Sequence, residues 1–217
     1  MRPLMWRKAG AALTSAGAVI VIGAIIVLSG DLGPQARHMG WHILAMNVVA
    51  PVAAGMLVAH RRAADSRPSW LWIATIAQVA VIWIAHTPSV QTAAMAFPGI
   101  QLAMHCVLLV AALSFWLLLL CLPDARRWHA LPALLLTGKL VCLLAALLVF
   151  APRALYGSHA HGPLAHALDD QHLAGLLMIA ACPLSYLVAA VVITVQFLNR
   201  GHPADATLLR QPAHGTG

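Results

Sequence analysis

The sequence predicts an all-α membrane protein, a polytopic bundle of about six transmembrane helices with both termini on the cytoplasmic side. Three observations lead there. Of 217 residues, 61% are hydrophobic and only 9% charged, whereas a soluble domain carries about 25% charged residues. So few solvated groups cannot cover a globular surface, but they suit one that faces lipid. Apolar runs of about 20 residues recur along the whole chain. Lys and Arg, finally, collect in alternate loops. A single bundle domain is expected over residues 1–200, followed by a disordered cytoplasmic tail at 201–217 that is rich in Pro, Gly and His.

The first apolar run covers residues 9–29, after Arg2, Arg7 and Lys8. It is read as a retained helix, because it is long for a signal-peptide core and no A-x-A-like site closes it. Further runs follow at 39–59, 70–85, 99–122, 130–151 and 173–198. Each can cross a hydrocarbon core of about 30 Å, the third with local thinning or a few flanking residues. Counting by loop puts ten of the 13 Lys and Arg on one side and Arg37 and Arg153 on the other, with Lys139 inside the fifth run. That asymmetry places both termini in the cytoplasm, and its strict alternation supports the count of spans. The net charge of +7 is thereby explained by orientation, and no compact basic face points to nucleic acid.

The chemistry the sequence lacks narrows the function. The four cysteines, Cys106, Cys121, Cys142 and Cys182, form no CxxC pair and lie in or beside apolar runs, which argues against a zinc ribbon or redox motif. Cys106 stands out only because it adjoins His105. There is no Walker loop, GxGxxG, HExxH or G-x-S-x-G, and no enzyme activity is expected.

The histidines are placed less blandly. Eight of the twelve fall on the outer half: His38, His42, His86, His105, His159, His161, His166 and His172. The orientation rule does not account for them. His38 and His42 are spaced i, i+4 at the outer start of the second helix and share a face, which Met46 continues one turn deeper. His86 closes the third helix. Gln101 and His105 are again i, i+4 in the fourth, and Asp170, Gln171 and His172 open the sixth. Ionisable side chains at this depth are costly in lipid and turn to a bundle interior. Four helices thus bring His, Asp, Gln and Met to one outer level. Neutral imidazole binds copper, zinc and iron, and thioethers favour Cu(I), so the mixture points to copper. The candidate ligands are His38, His42, His86, His105, His172, Met46 and Asp170. Asp170 is also suited to accept a hydrogen bond from a ligating imidazole. Gln101 and Gln171 are candidates for orienting the ligands. A plain hydrogen-bond network is the alternative. His159, His161 and His166 either gather metal at the mouth or are solvated. Lys139 either snorkels or serves a paired, proton-linked role. Gly23, Gly55, Gly138 and Gly175 are expected to allow close helix packing.

The stretch His38-Met39-x-x-His42 with Ala50-Pro51, then His86-x-Pro88, His105 followed by Phe115-Trp116, Leu155-Tyr156, and Asp170-Gln171-x-x-x-Gly175 with Met178 resembles the CtaG-type multi-spanning cytochrome c oxidase assembly factors. The resemblance covers about residues 37–190 and keeps the family's order of motifs. It implies a chaperone-like part in maturing a haem–copper oxidase, with an oxidase subunit as partner and His38, His42, His86, His105, Asp170 and Gln171 as the matching positions. The chain departs from the family at Gln101, where a second histidine is common, at Ala174-Gly175, where two glycines are usual, and at Ile179, where a tryptophan is expected. Two other functions compete. One is a b-type haem electron carrier with His42 and His105 as axial ligands. The other is a copper or cation transporter, although the cytoplasmic half offers little polar lining beyond Lys139.

Overall fold

A computed structural model describes residues 32–60, 66–156 and 164–200. The first apolar run, the C-terminal tail, and the loop histidines His159 and His161 lie outside the described residues. Those described contain helices and no strands, and five segments are long and apolar enough to cross a membrane. The chain is therefore a multi-pass, all-helical membrane protein.

The first described span is a composite rod. Helix α1 (Pro34–Leu44) runs into a π-helical turn, Ala45–Val49, and continues as α2 (Ala50–His60). Pro51 supplies the cause. It has no N–H for the carbonyl of Asn47, and its ring crowds that carbonyl. A widened turn just before the proline relieves both problems, and it leaves Met46, Asn47 and Val48 all facing inward. Then come α3 (Pro68–Ala85), a short α4 (Pro88–Ala96), α5 (Pro98–Leu120), a 3-10 segment Asp124–His129 leading into α6 (Ala130–Val149), and the 37-residue α7 (Leu164–Arg200). Pro34, Pro68, Pro88 and Pro98 each occupy the first turn of their helix, where the missing N–H costs nothing and φ is already set.

Two features differ from the sequence-based expectation. The 88–96 segment, which none of the apolar runs covers, is helical, and α7 begins at Leu164, so Asp170, Gln171 and His172 lie in its second and third turns instead of opening it. Neither segment is apolar enough to register by hydropathy; contacts to other helices sustain both.

Alternate helix ends meet as a bundle requires. At one end Tyr156 donates its hydroxyl to the carbonyl of His86 at 2.7 Å, and Asp170 reaches the start of α1. At the other, Ser66 donates its N–H to the carbonyl of Cys121 at 3.0 Å and its hydroxyl to that of Leu118 at 2.8 Å, while Arg127 donates to Gln196 at 3.2 Å. The core joins Met39, Met46, Leu71, Ile82, Leu108, Phe115, Leu134, Leu148 and Met178. The opposite faces expose Ile76, Ile84, Leu102, Val110 and Leu187, as lipid contact demands.

A small residue also allows the close contact between α6 and α7. A Cβ on Gly175 would meet the side chain of Val149 at 2.7 Å and the Ala145 carbonyl at 3.2 Å. Glycine is therefore required for this approach. Gly138 faces Tyr186 at an ordinary 3.9 Å, and Gly55 has nothing within 4 Å, so Gly55 does not serve close packing among the described residues. Lys139 is exposed midway along α6.

Candidate metal centre

Three helix ends set the positions of the histidines. Helix α1 lacks a cap of its own, and α7 provides one. Asp170 accepts the backbone N–H of Gln35 at 2.9 Å and of Ala36 at 3.0 Å. These amides have no partner within the helix, and a carboxylate suits the positive end of its dipole. Gly33 makes room, since a Cβ there would overlap the Asp170 carboxylate. The end of α3 is held by Gln91, which donates to the carbonyl of Ala85 at 2.9 Å, and by Tyr156, which donates to that of His86. Burial pushes the Tyr156 phenol up to about 12, so it remains a donor. Gln171 is buried and joins α7 to the end of α6, accepting the N–H of Leu155 at 2.6 Å and donating to the carbonyl of Leu148 at 3.2 Å.

On this frame four imidazoles form a continuous chain. His38 meets His105 at a ring-centroid distance of 4.7 Å, His38 meets His42 at 6.5 Å, and His42 meets His86 at 5.1 Å. His38, His42 and His86 are buried, and His105 is half-buried. α1, α3 and α5 thus converge where the sequence alone could only place residues at one depth.

Their hydrogen bonds define what they offer. His86 Nδ1 lies 2.7 Å from the carbonyl of Ile82, and His105 Nδ1 lies 2.8 Å from that of Gln101. A carbonyl can only accept, so each Nδ1 carries the proton and each Nε2 keeps a lone pair. Both Nε2 atoms are buried without a hydrogen-bond partner, as are His38 Nε2 and His42 Nδ1. Burial disfavours the imidazolium of His86, just past its span, and holds its pKa below the ordinary 6.5. A neutral ring is the form that ligates metal. Among the described residues no three His, Cys, Asp or Glu side chains already enclose a common point. The rings pack in two pairs, and ligation of one ion by more than a pair requires side-chain rotation.

The other candidates stand elsewhere. Asp170 and Gln171 bond to backbone, not to an imidazole. Gln101 has an exposed side chain and orients His105 through its carbonyl. His172 Nε2 faces the carbonyl of Ala151 at 3.4 Å, and no ring contact joins it to the four-ring chain. His166 is exposed. Met46 lies one turn below His42 and shares a cavity with it. Sequence reasoning missed Gln35, which is 3% exposed, with both side-chain polar atoms unpartnered. Its signal was the i, i+3, i+7 spacing with His38 and His42.

Neither a curated protein nor a solved structure matches the chain. The family model for the cytochrome c oxidase caa3 assembly factor (Caa3_CtaG) matches residues 36–200, a stretch that contains all four converging histidines. The chain belongs to this family of oxidase assembly factors.

Proposed function

We propose that this protein serves the maturation of a haem–copper oxidase by holding copper on His38, His42, His86 and His105, at the outer face of a bacterial cytoplasmic membrane. The observation that carries the reading is the set of four buried ring nitrogens without partners. An unsatisfied buried polar atom costs about 1–3 kcal/mol, and four on neighbouring rings make a costly cluster that a metal ion relieves. Two of the rings are already fixed in the tautomer that presents Nε2, by the carbonyl bond typical of metal-binding histidines. Imidazole nitrogen with nearby thioether favours copper over magnesium or calcium. The protein's part is to bind and present the ion to an oxidase subunit; the reading assigns it no catalytic step.

The outer-face assignment rests on charge. Arg67, Arg126 and Arg127 lie at the end of the bundle away from the histidines, and Arg37 and Arg153 at the histidine end. The asymmetry of the whole sequence puts the arginine-rich end in the cytoplasm. A b-type haem between His42 and His105 draws less support. These two rings make no ring contact with each other and are linked through His38, so the geometry does not set them as a facing axial pair.

Purification in detergent without chelator, with elemental analysis and a visible spectrum, tests the reading. Near-stoichiometric copper, reduced in His42→Ala and His105→Ala, with no Soret band, is the expected result. Deleting the gene should lower oxidase activity and its copper content. A Soret band, or unchanged oxidase in the deletion strain, would overturn it.

A further inference from the structure

Directly below the imidazole chain lies a cavity lined by His42, Met46, Met178, Cys182, Asn47 and Tyr186, among others. Three of these carry sulfur, and they reach the cavity from two directions. His42 and Met46 are i, i+4 along the composite rod. Met178 and Cys182 are i, i+4 on α7, so each pair occupies one helix face. The π turn at Ala45–Val49 helps to bring Met46 inward. All three sulfur side chains are buried, Met178 completely. Methionines commonly fill irregular gaps in a core, yet here they border a space that they do not fill.

The polar neighbours are engaged, and Asn47 also hydrogen-bonds the Cys182 side chain. Asn47 accepts the hydroxyl of Ser185 at 2.6 Å, and the Tyr186 hydroxyl accepts the amide N–H of Gln78 at 2.6 Å. His42 Nδ1, in contrast, is buried and unpartnered. No carboxylate lines the cavity, so a hard divalent ion finds no suitable donor there. Thioether and thiol ligands select soft monovalent ions, above all Cu(I).

We infer that His42, Met46, Met178 and Cys182 form a second, inner site for a soft monovalent cation, Cu(I), distinct from the outer imidazole site and sharing His42 with it. Uptake exchanges the Cys182 proton for the ion, so the buried site stays neutral and one proton passes to solvent. Passage from the outer rings to the sulfurs spans about one helical turn, roughly 5 Å. The inference goes beyond the outer copper site and is separable from it.

The test uses the full chain in detergent under anaerobic, reducing conditions. Ag(I) serves as a redox-inert probe of the sulfur site and Zn(II) as a probe of the imidazoles. In the double variant Met46→Leu, Met178→Leu, Ag(I) and Cu(I) affinity should fall about tenfold or more, with Zn(II) binding unchanged. His105→Ala should weaken Zn(II) binding at the imidazoles and leave Ag(I) binding at the sulfurs unchanged. X-ray absorption of the Cu(I)-loaded wild-type protein should show sulfur scatterers, and this needs no variant to fold. A nitrogen-only shell, or unchanged Ag(I) affinity in a double variant that melts normally, would overturn the inner site. Ag(I) bound on sulfur, with no copper or zinc on the histidines, would keep the inner site and remove the outer one.

Discussion

Asp170 accepts the backbone N–H of Gln35 at 2.9 Å, so a residue on the last helix caps the first described one, at the end where His38 and His42 lie. Two elements 135 residues apart in sequence are locked at the level of the imidazoles. Asp170→Ala should therefore lower stability by about 1–2 kcal/mol, the usual cost of a lost cap, and weaken metal binding through His38 and His42. Gly33→Ala should act on the same contact, because its new Cβ overlaps the carboxylate. The two changes should not add in a double variant. Thermal melts in detergent decide it; a Gly33→Ala protein as stable as wild type would refute the close approach.

Gly175 and Gly55 separate packing from propensity. Gly175→Ala places a methyl group against Val149 and the Ala145 carbonyl and should destabilise the α6–α7 pair by about 1–3 kcal/mol, as overpacking does. Gly55→Ala meets nothing within 4 Å, and should gain up to about 1 kcal/mol from helix propensity. Opposite shifts in melting temperature are expected. Equal shifts would mean that α6 and α7 are not in this contact.

Tyr156 gives a pH signature. Its phenol is raised to about 12 from the ordinary 10 by burial. The folded state thus holds the proton more tightly than the unfolded one. Stability from this group is complete below pH 10 and is lost as pH rises through about 12. Deprotonation also removes the hydrogen that Tyr156 donates to the His86 carbonyl. The chain has only two tyrosines, so in Tyr186→Phe the phenolate absorbance reports Tyr156 alone. Ionisation near 12 is expected, and a midpoint near 10 would place the ring in solvent.

Much of this was legible in the sequence. The five described spans follow from apolar length, and the histidine end follows from i, i+4 spacing on one helix and helix-end placement on others. What sequence did not carry is convergence. Nothing in the spacing of His38 and His105 says that α1 and α5 are neighbours, since a bundle's order is set by packing such as that of Gly175 on Val149. Asp170 reads as a metal-site carboxylate in the sequence, because hydropathy sees only a polar group at a helix start. Its partners, the amides of Gln35 and Ala36, come from a distant element. The π turn before Pro51 was likewise hidden, because an Ala-Pro pair inside an apolar run reads as helix throughout.

The tautomer fixed at His86 leads to a last prediction. Its Nδ1–H is committed to the Ile82 carbonyl at 2.7 Å, and its Nε2 is buried and unpartnered. His172 presents its Nε2 to the carbonyl of Ala151 and has no ring contact with the other histidines. If the chain of four rings is the outer ligand set, the two residues must respond differently to the same change. His86→Gln should reduce zinc and copper affinity by at least about tenfold, whereas His172→Gln should leave it within experimental error and cost only a weak hydrogen bond, about 1 kcal/mol or less. Metal titration of both variants, alongside their melting temperatures, checks this. Loss of affinity in His172→Gln with retention in His86→Gln would move the site towards the α6–α7 end and away from the imidazole chain.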